Sequence, residues 1–231
     1  MIFSELKWAT DSRDGRRRAN QLRQSPYIQH QALWSLFQRP QGSIAPFLFR
    51  HETAADDPTF WMLSETAPHD GNGDWRIRSR PFAPQLAEGD QLQFQLRANP
   101  SISVPRDATG NSRSRGIRTS LIGHVLARCD DNANRGKVVS DALLDWLGER
   151  GERNGFALET TADGIIDCMV EQPRHWRFSG RDRRPMTLAV ADFVGRLRVT
   201  DAERFTACIR EGLGHGKRFG LGMWLLRRAR D

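Results

Sequence analysis

Histidine is the side chain best suited to moving a proton near neutral pH, and of the six in this sequence His30 has the most suggestive surroundings. It follows Tyr27 by three positions in SPYIQHQALWSLF, a spacing that sets both side chains on one face of a helix. Ser25 fits the N-cap and Pro26 the first helical position. Both residues therefore fall in the first turns, where the helix dipole favours an anion and disfavours an imidazolium. A neutral imidazole beside a phosphate is the chemistry that this arrangement allows. The competing reading is a hydrogen-bonded core histidine, because Leu33, Trp34 and Phe37 extend an apolar stripe from it.

A second stretch has the composition of a ligand loop: GLGHGKRFGLG, Gly212 to Gly222, with five glycines around Lys217 and Arg218. Glycine accepts positive φ and close backbone approach, and the two cations point to an anionic ligand. It is neither of the common nucleotide loops. A P-loop needs four residues between its first glycine and Gly-Lys-Ser/Thr, and here Gly212 and Gly216 are separated by three and Lys217 precedes Arg218. A dinucleotide fingerprint fails at Lys217, where its third glycine belongs. No nucleotide cofactor is expected. The bland reading is a flexible turn between two elements.

Other chemistry is poorly supported. The sequence has no H-E-x-x-H, no clustered D-x-D, no G-x-S-x-G and no Cys/His metal spacing. Cys129, Cys168 and Cys208 are odd in number and far apart, and read as small buried hydrophobes. His51, His69, His124 and His175 read as structural or surface residues, whereas His215 lies inside the glycine loop. Thirty-five Lys plus Arg against 28 Asp plus Glu give a net charge of +7, mostly arginine. Arginine binds phosphate bidentately and stacks on bases, so nucleic acid is the expected partner, ahead of a membrane. No run approaches the roughly 20 apolar residues of a membrane span, and the opening MIFSELKWAT is no secretory signal, so a cytoplasmic protein is expected.

The elements that must position these residues follow from periodicity. Strands are expected at Met1–Thr10, Ala45–His51, Thr59–Ser64, Trp75–Arg80 and Gln91–Asn99, the last alternating Leu92, Phe94 and Leu96. The basic stretch SRDGRRRANQLRQ reads as a solvated loop, and the first helix runs from Ser25 to Phe37. This is most of a β-α-β-β-α-β unit whose second helix is not apparent. Residues 100–118, rich in Pro, Gly and Arg, read as a linker or a phosphate-following loop that offers Arg113, Arg115 and Arg118. Beyond it come a strand at Thr119–Leu126, a helix over Ser140–Arg150 capped by Ser140, and strands at Gly155–Thr160 and Ile165–Val170. An arginine-rich hairpin follows over Arg174–Thr187, turning at Ser179–Asp182, with strand material at Leu188–Val199. A helix over Asp201–Leu213, the glycine loop and a last strand at Leu221–Leu226 complete a second such unit. The expected fold is α+β: two tandem ferredoxin-like, RRM-like modules over 1–100 and 119–231, joined by 101–118, with facing sheets. An RRM-type single-strand binder ranks low for want of an RNP1-like run.

Tyr27 and His30 in YIQHQALWSLF, then FQLRANP, then GLGHGKRFGLG, in that order, resemble the CasE endoribonucleases of type I-E CRISPR systems in the RAMP superfamily. The likeness spans the chain. It implies metal-independent cleavage of CRISPR precursor RNA at the base of each repeat hairpin, by attack of a 2′-hydroxyl that leaves a 2′,3′-cyclic phosphate and a 5′-hydroxyl. It implies His30 as general acid or base with Tyr27 beside it, and Lys217 as stabiliser of the phosphorane. Gly212, Gly214, His215, Gly216, Arg218, Gly220 and Gly222 would close over the RNA. Arg174, Arg177, Arg181, Arg183 and Arg184 would enter the stem's groove. It also implies retention of the product as a subunit of the Cascade complex, with no cofactor and no metal. The alternative is a non-catalytic guide-RNA scaffold of the same fold.

Overall fold

The structure is a computed structural model that describes residues 1–9, 12–38, 46–104, 116–130, 133–171, 173–180 and 184–229. Its contacts cluster into two compact units. The first comprises Met1–Gln85, Arg177–Thr187 and Ile209–Met223, and the second Leu86–Trp176, Leu188–Cys208 and Trp224–Asp231.

In the first unit, β1 (Ile2–Trp8), β2 (Phe47–Glu52), β3 (Thr59–Ser64) and β4 (Trp75–Pro81) form an antiparallel sheet of order β2-β3-β1-β4. Period-2 alternation turns Leu6, Phe60, Met62, Phe47, Phe49 and Trp75 to one face, where they form a core with Leu22 and Leu33 from two helices. These are α1 (Arg13–Gln24) and α2 (Pro26–Trp34). The basic stretch expected as a loop is thus a helix. Ser12 caps it by accepting from the Gly15 N–H at 3.0 Å, and its sparse apolar residues Ala19 and Leu22 fall three apart on the buried side. Ser25 caps α2 by accepting from the Ile28 N–H at 3.3 Å, with Pro26 at its start as expected. The missing second helix has a plain explanation: β3 and β4 are joined without one, and Asp70 organises that loop by accepting from the Asn72 and Trp75 N–H groups at 3.1 and 2.6 Å.

The second sheet runs β10-β11-β5-β12, with β8 and β9 also on β11. Its strands are β5 (Gln91–Ala98), β8 (Phe156–Leu158), β9 (Cys168–Val170), β10 (Arg174–Ser179), the 15-residue β11 (Pro185–Val199) and β12 (Trp224–Arg228). The strand expected to end the first module, Gln91–Ala98, pairs instead with β11 and β12 here. The ends of the 100–118 stretch are also strands: β6 (Ser101–Val104) pairs with β7 (Ile117–Ser120). Leu121–Leu126, expected as strand, is helix α3, because Ser120 accepts from the Gly123 N–H at 3.2 Å and caps it. Helix α4 (Arg135–Asn154) starts before Ser140, which lies inside it, and ends at left-handed Gly155, φ 77°. Helix α5 is Ala202–Glu211. Both sheets have the strand order of a ferredoxin-like unit, so the fold is α+β with two such modules in tandem. Among the described residues no helix is long and apolar enough to cross a membrane.

Candidate active site

His30, the glycine loop and the tip of the arginine hairpin all fall in the first unit. The loop's five glycines, Gly212, Gly214, Gly216, Gly220 and Gly222, all have φ between 74° and 84°. Gly212, Gly220 and Gly222 are also pinned by close approach. A Cβ on Gly222 would meet the Leu213 carbonyl at 2.5 Å, and one on Gly220 the Phe49 ring at 3.0 Å. The loop therefore lies tight on β2, closed by the Leu213 N–H donating to the Gly222 carbonyl at 2.9 Å. Lys217–Phe219 form a 3-10 turn that packs on α2. Phe219 is buried and meets Phe178 of the hairpin edge-on, with centroids 4.9 Å apart.

His30 is half-buried beside Phe47 and Trp34, with ring centroids at 5.7 and 6.0 Å. The apolar stripe read in the sequence is real, yet the hydrogen bond of a structural histidine is missing: Nδ1 is buried with no partner among the described residues. Buried polar atoms are normally paired, so such an orphan needs a reason. Burial, and secondarily the Arg218 guanidinium, hold the His30 pKa below its ordinary value. The ring is neutral at physiological pH and able to accept a proton. Tyr27 is half-buried one turn earlier, and its hydroxyl accepts from Gln31 Nε2 at 3.2 Å. Lys217 is half-buried, while His215 and Arg218 are exposed.

The expected arginines separate into groups. Arg177 and Arg184 are exposed on the hairpin in the first unit. Arg118 is exposed on β7 in the second. Arg174 is already committed to an ion pair, since its Nη2 donates to Asp192 Oδ2 at 2.5 Å while Arg97 Nε donates to Oδ1 at 2.8 Å. Asp192 is 1% exposed, so both cations offset a buried charge. Arg113, Arg115, Arg181 and Arg183 lie outside the described residues. The proximity of Arg218 to His30 was not legible in sequence, since nothing local links α2 to the loop. The second unit also holds a cavity of about 530 Å³, lined by Asp145, Glu149, Glu152, Phe156 and Ile166, whose carboxylates make it unsuited to RNA.

Of the histidines read as structural or surface residues, His51 is buried and stacks on Phe60 at 4.9 Å, the His124 ring nitrogen lies 2.8 Å from Arg128 Nη1, and His69 and His175 are exposed. The cysteines are all free, but only Cys208 is buried; Cys129 and Cys168 are half-buried. Burial, reinforced by Asp167, pushes the Cys168 thiol up to about 12. Among the described residues no three His, Cys, Asp or Glu side chains form a group able to hold a metal ion.

A family model described as CRISPR associated protein matches residues 3–228. The CRISPR-associated endoribonuclease Cse3 of Thermus thermophilus is 27% identical over 215 residues, covering 86% of this chain and 88% of that protein. A structure of CRISPR endoribonuclease Cse3 bound to 19 nt RNA superposes with a TM-score of 0.72 at 26% identity, over 98% of this chain and 100% of that one. Thermus thermophilus Cse3 bound to an RNA representing a pre-cleavage complex gives 0.70 at 26% identity, over 98% of each chain.

Proposed function

The chain belongs to the family of CRISPR-associated proteins, and from that membership we propose that it is an endoribonuclease that processes CRISPR precursor RNA at the repeat hairpin and retains the product within Cascade. The RNA-bound relatives support the substrate. The observation that carries the reading is His30, an imidazole with an orphaned ring nitrogen and lowered basicity, placed against the cation of a glycine loop.

RNA brings its own nucleophile. Neutral His30 takes the proton from the 2′-hydroxyl as that oxygen attacks the adjacent phosphorus. The bond from phosphorus to the 5′-oxygen breaks, that oxygen takes up a proton, and a 2′,3′-cyclic phosphate and a 5′-hydroxyl remain. Lys217 and Arg218 stabilise the extra negative charge on the phosphorane, which a preorganised cation does at little reorganisation cost. Tyr27, one turn from His30, orients the scissile link. No step requires a metal, so cleavage proceeds in EDTA. Arg177 and Arg184, whose hairpin is tied to the loop through Phe178 and Phe219, grip the stem.

His30→Ala tests the assignment on purified protein with labelled repeat RNA in EDTA. Cleavage falls by about 10²–10⁴-fold, the usual worth of general acid–base catalysis, while RNA affinity changes little. Cutting at the wild-type rate would overturn the role of His30. Binding by the wild type without any cutting would favour the scaffold reading.

A further inference from the structure

The face of the first sheet turned away from α1 and α2 carries a pattern that the active site does not use. Register places Arg80 opposite Phe3, Arg78 opposite Glu5 and Arg76 opposite Lys7. Directly paired residues share a face, so the three arginines line β4 at alternate positions, about 7 Å apart. All three are exposed. Four cations thus face one carboxylate along β1 and β4, with Glu5 bound to Lys7 at 3.1 Å.

Aromatic rings continue this strip. Phe3 stacks on Trp61 with centroids 5.6 Å apart and meets Phe82 at 6.1 Å, and the Arg80 guanidinium lies over Phe3 at 5.4 Å. All three rings are half-buried rather than sealed. The other half of this face, at β2, is closed by the glycine loop, where a Cβ on Gly212 would meet Leu48 at 2.9 Å.

We propose that this strip is a second RNA site, a stacking platform for single-stranded RNA, with Phe3, Trp61 and Phe82 receiving bases and Arg76, Arg78 and Arg80 neutralising phosphates. Aromatics interleaved with a basic track are what sequence-tolerant single-strand binding needs. The occupant is RNA and not a protein segment, because the cations far outnumber the acids. The idea rests on the RNA-processing reading only for the identity of the ligand.

Fluorescein-labelled oligouridine, which forms no hairpin, tests it by anisotropy on the full chain, with hairpin cleavage measured in parallel. Wild type binds it. Trp61→Ala weakens binding on the order of 5- to 100-fold, Trp61→Phe restores it, and hairpin cleavage persists in both. Arg76→Gln with Arg78→Gln lowers the slope of log affinity against log salt by roughly 0.7 per lost phosphate contact. Hairpin cleavage without oligouridine binding, or binding indifferent to these substitutions, overturns the platform alone. A wild-type protein that cuts no hairpin but binds oligouridine overturns the proposed function and leaves the platform standing.

Discussion

At the scale of single residues, His30 controls the pH dependence. Its pKa is lowered first by burial and then by Arg218, so as a base it stays neutral to a pH below the ordinary imidazole value of about 6.5. The acid limb of log kcat/KM against pH is therefore expected below that value. Arg218→Gln removes the second cause and moves the limb upward, and an unmoved limb would mean that Arg218 does not act on the ring. The same shift affects stability with a definite sign. Above about 6.5 the ring is neutral in both folded and unfolded chains and contributes nothing. As pH falls below that, the unfolded chain takes up the proton first and stability declines until the folded ring also protonates. Most of this residue's case was visible in sequence, including its partner Tyr27 and its apolar neighbours. The orphaned nitrogen was not, because hydrogen-bond satisfaction is a property of the packed surroundings.

At the scale of elements, the glycine loop is a clamp that depends on absent side chains. Gly222 has φ 84° and no room toward the Leu213 carbonyl, so Gly222→Ala must both enter the left-handed region, at about 1–2 kcal/mol, and displace backbone. The expected outcome is a lower thermal midpoint together with slower cleavage, because the loop that carries Lys217 and Arg218 moves off α2. A variant with unchanged midpoint and rate would show that the loop's geometry is not needed. Local signals placed the helix start well at Ser25 and Pro26, but at Ser140 they marked a cap inside α4. They failed where a cap was overlooked: Ser12 turned the basic stretch into α1, and Ser120 turned an apolar run into α3. The alternation of Arg76, Arg78 and Arg80 was also open to reading, but only its pairing with Phe3 and the nearness of Trp61 gave it a meaning.

At the scale of the whole molecule, the net charge of +7 makes RNA binding salt-dependent, since each neutralised phosphate releases counterions. Raising salt from 50 to 200 mM is expected to weaken RNA binding on the order of 10²-fold for about five phosphate contacts, with little change in the cleavage rate of RNA already bound. Filter binding and single-turnover cleavage across the same salt series separate the two. A salt-insensitive affinity would contradict an arginine-led interface.

The sequence by itself determined the chemistry available: an early histidine on a capped helix, a late cationic glycine loop, an excess of arginine and alternating strands, whose order resembles one endoribonuclease family. These are local or compositional properties, fixed by caps, period and side-chain type. Only the tertiary structure decided the partnerships. Alternation marks Gln91–Ala98 as a strand but is silent on its neighbours, and long-range register assigned it to β11 and β12. In the same way packing, which no local signal encodes, brought Arg218 to His30 and Phe178 to Phe219, and tied Arg174 to a buried Asp192.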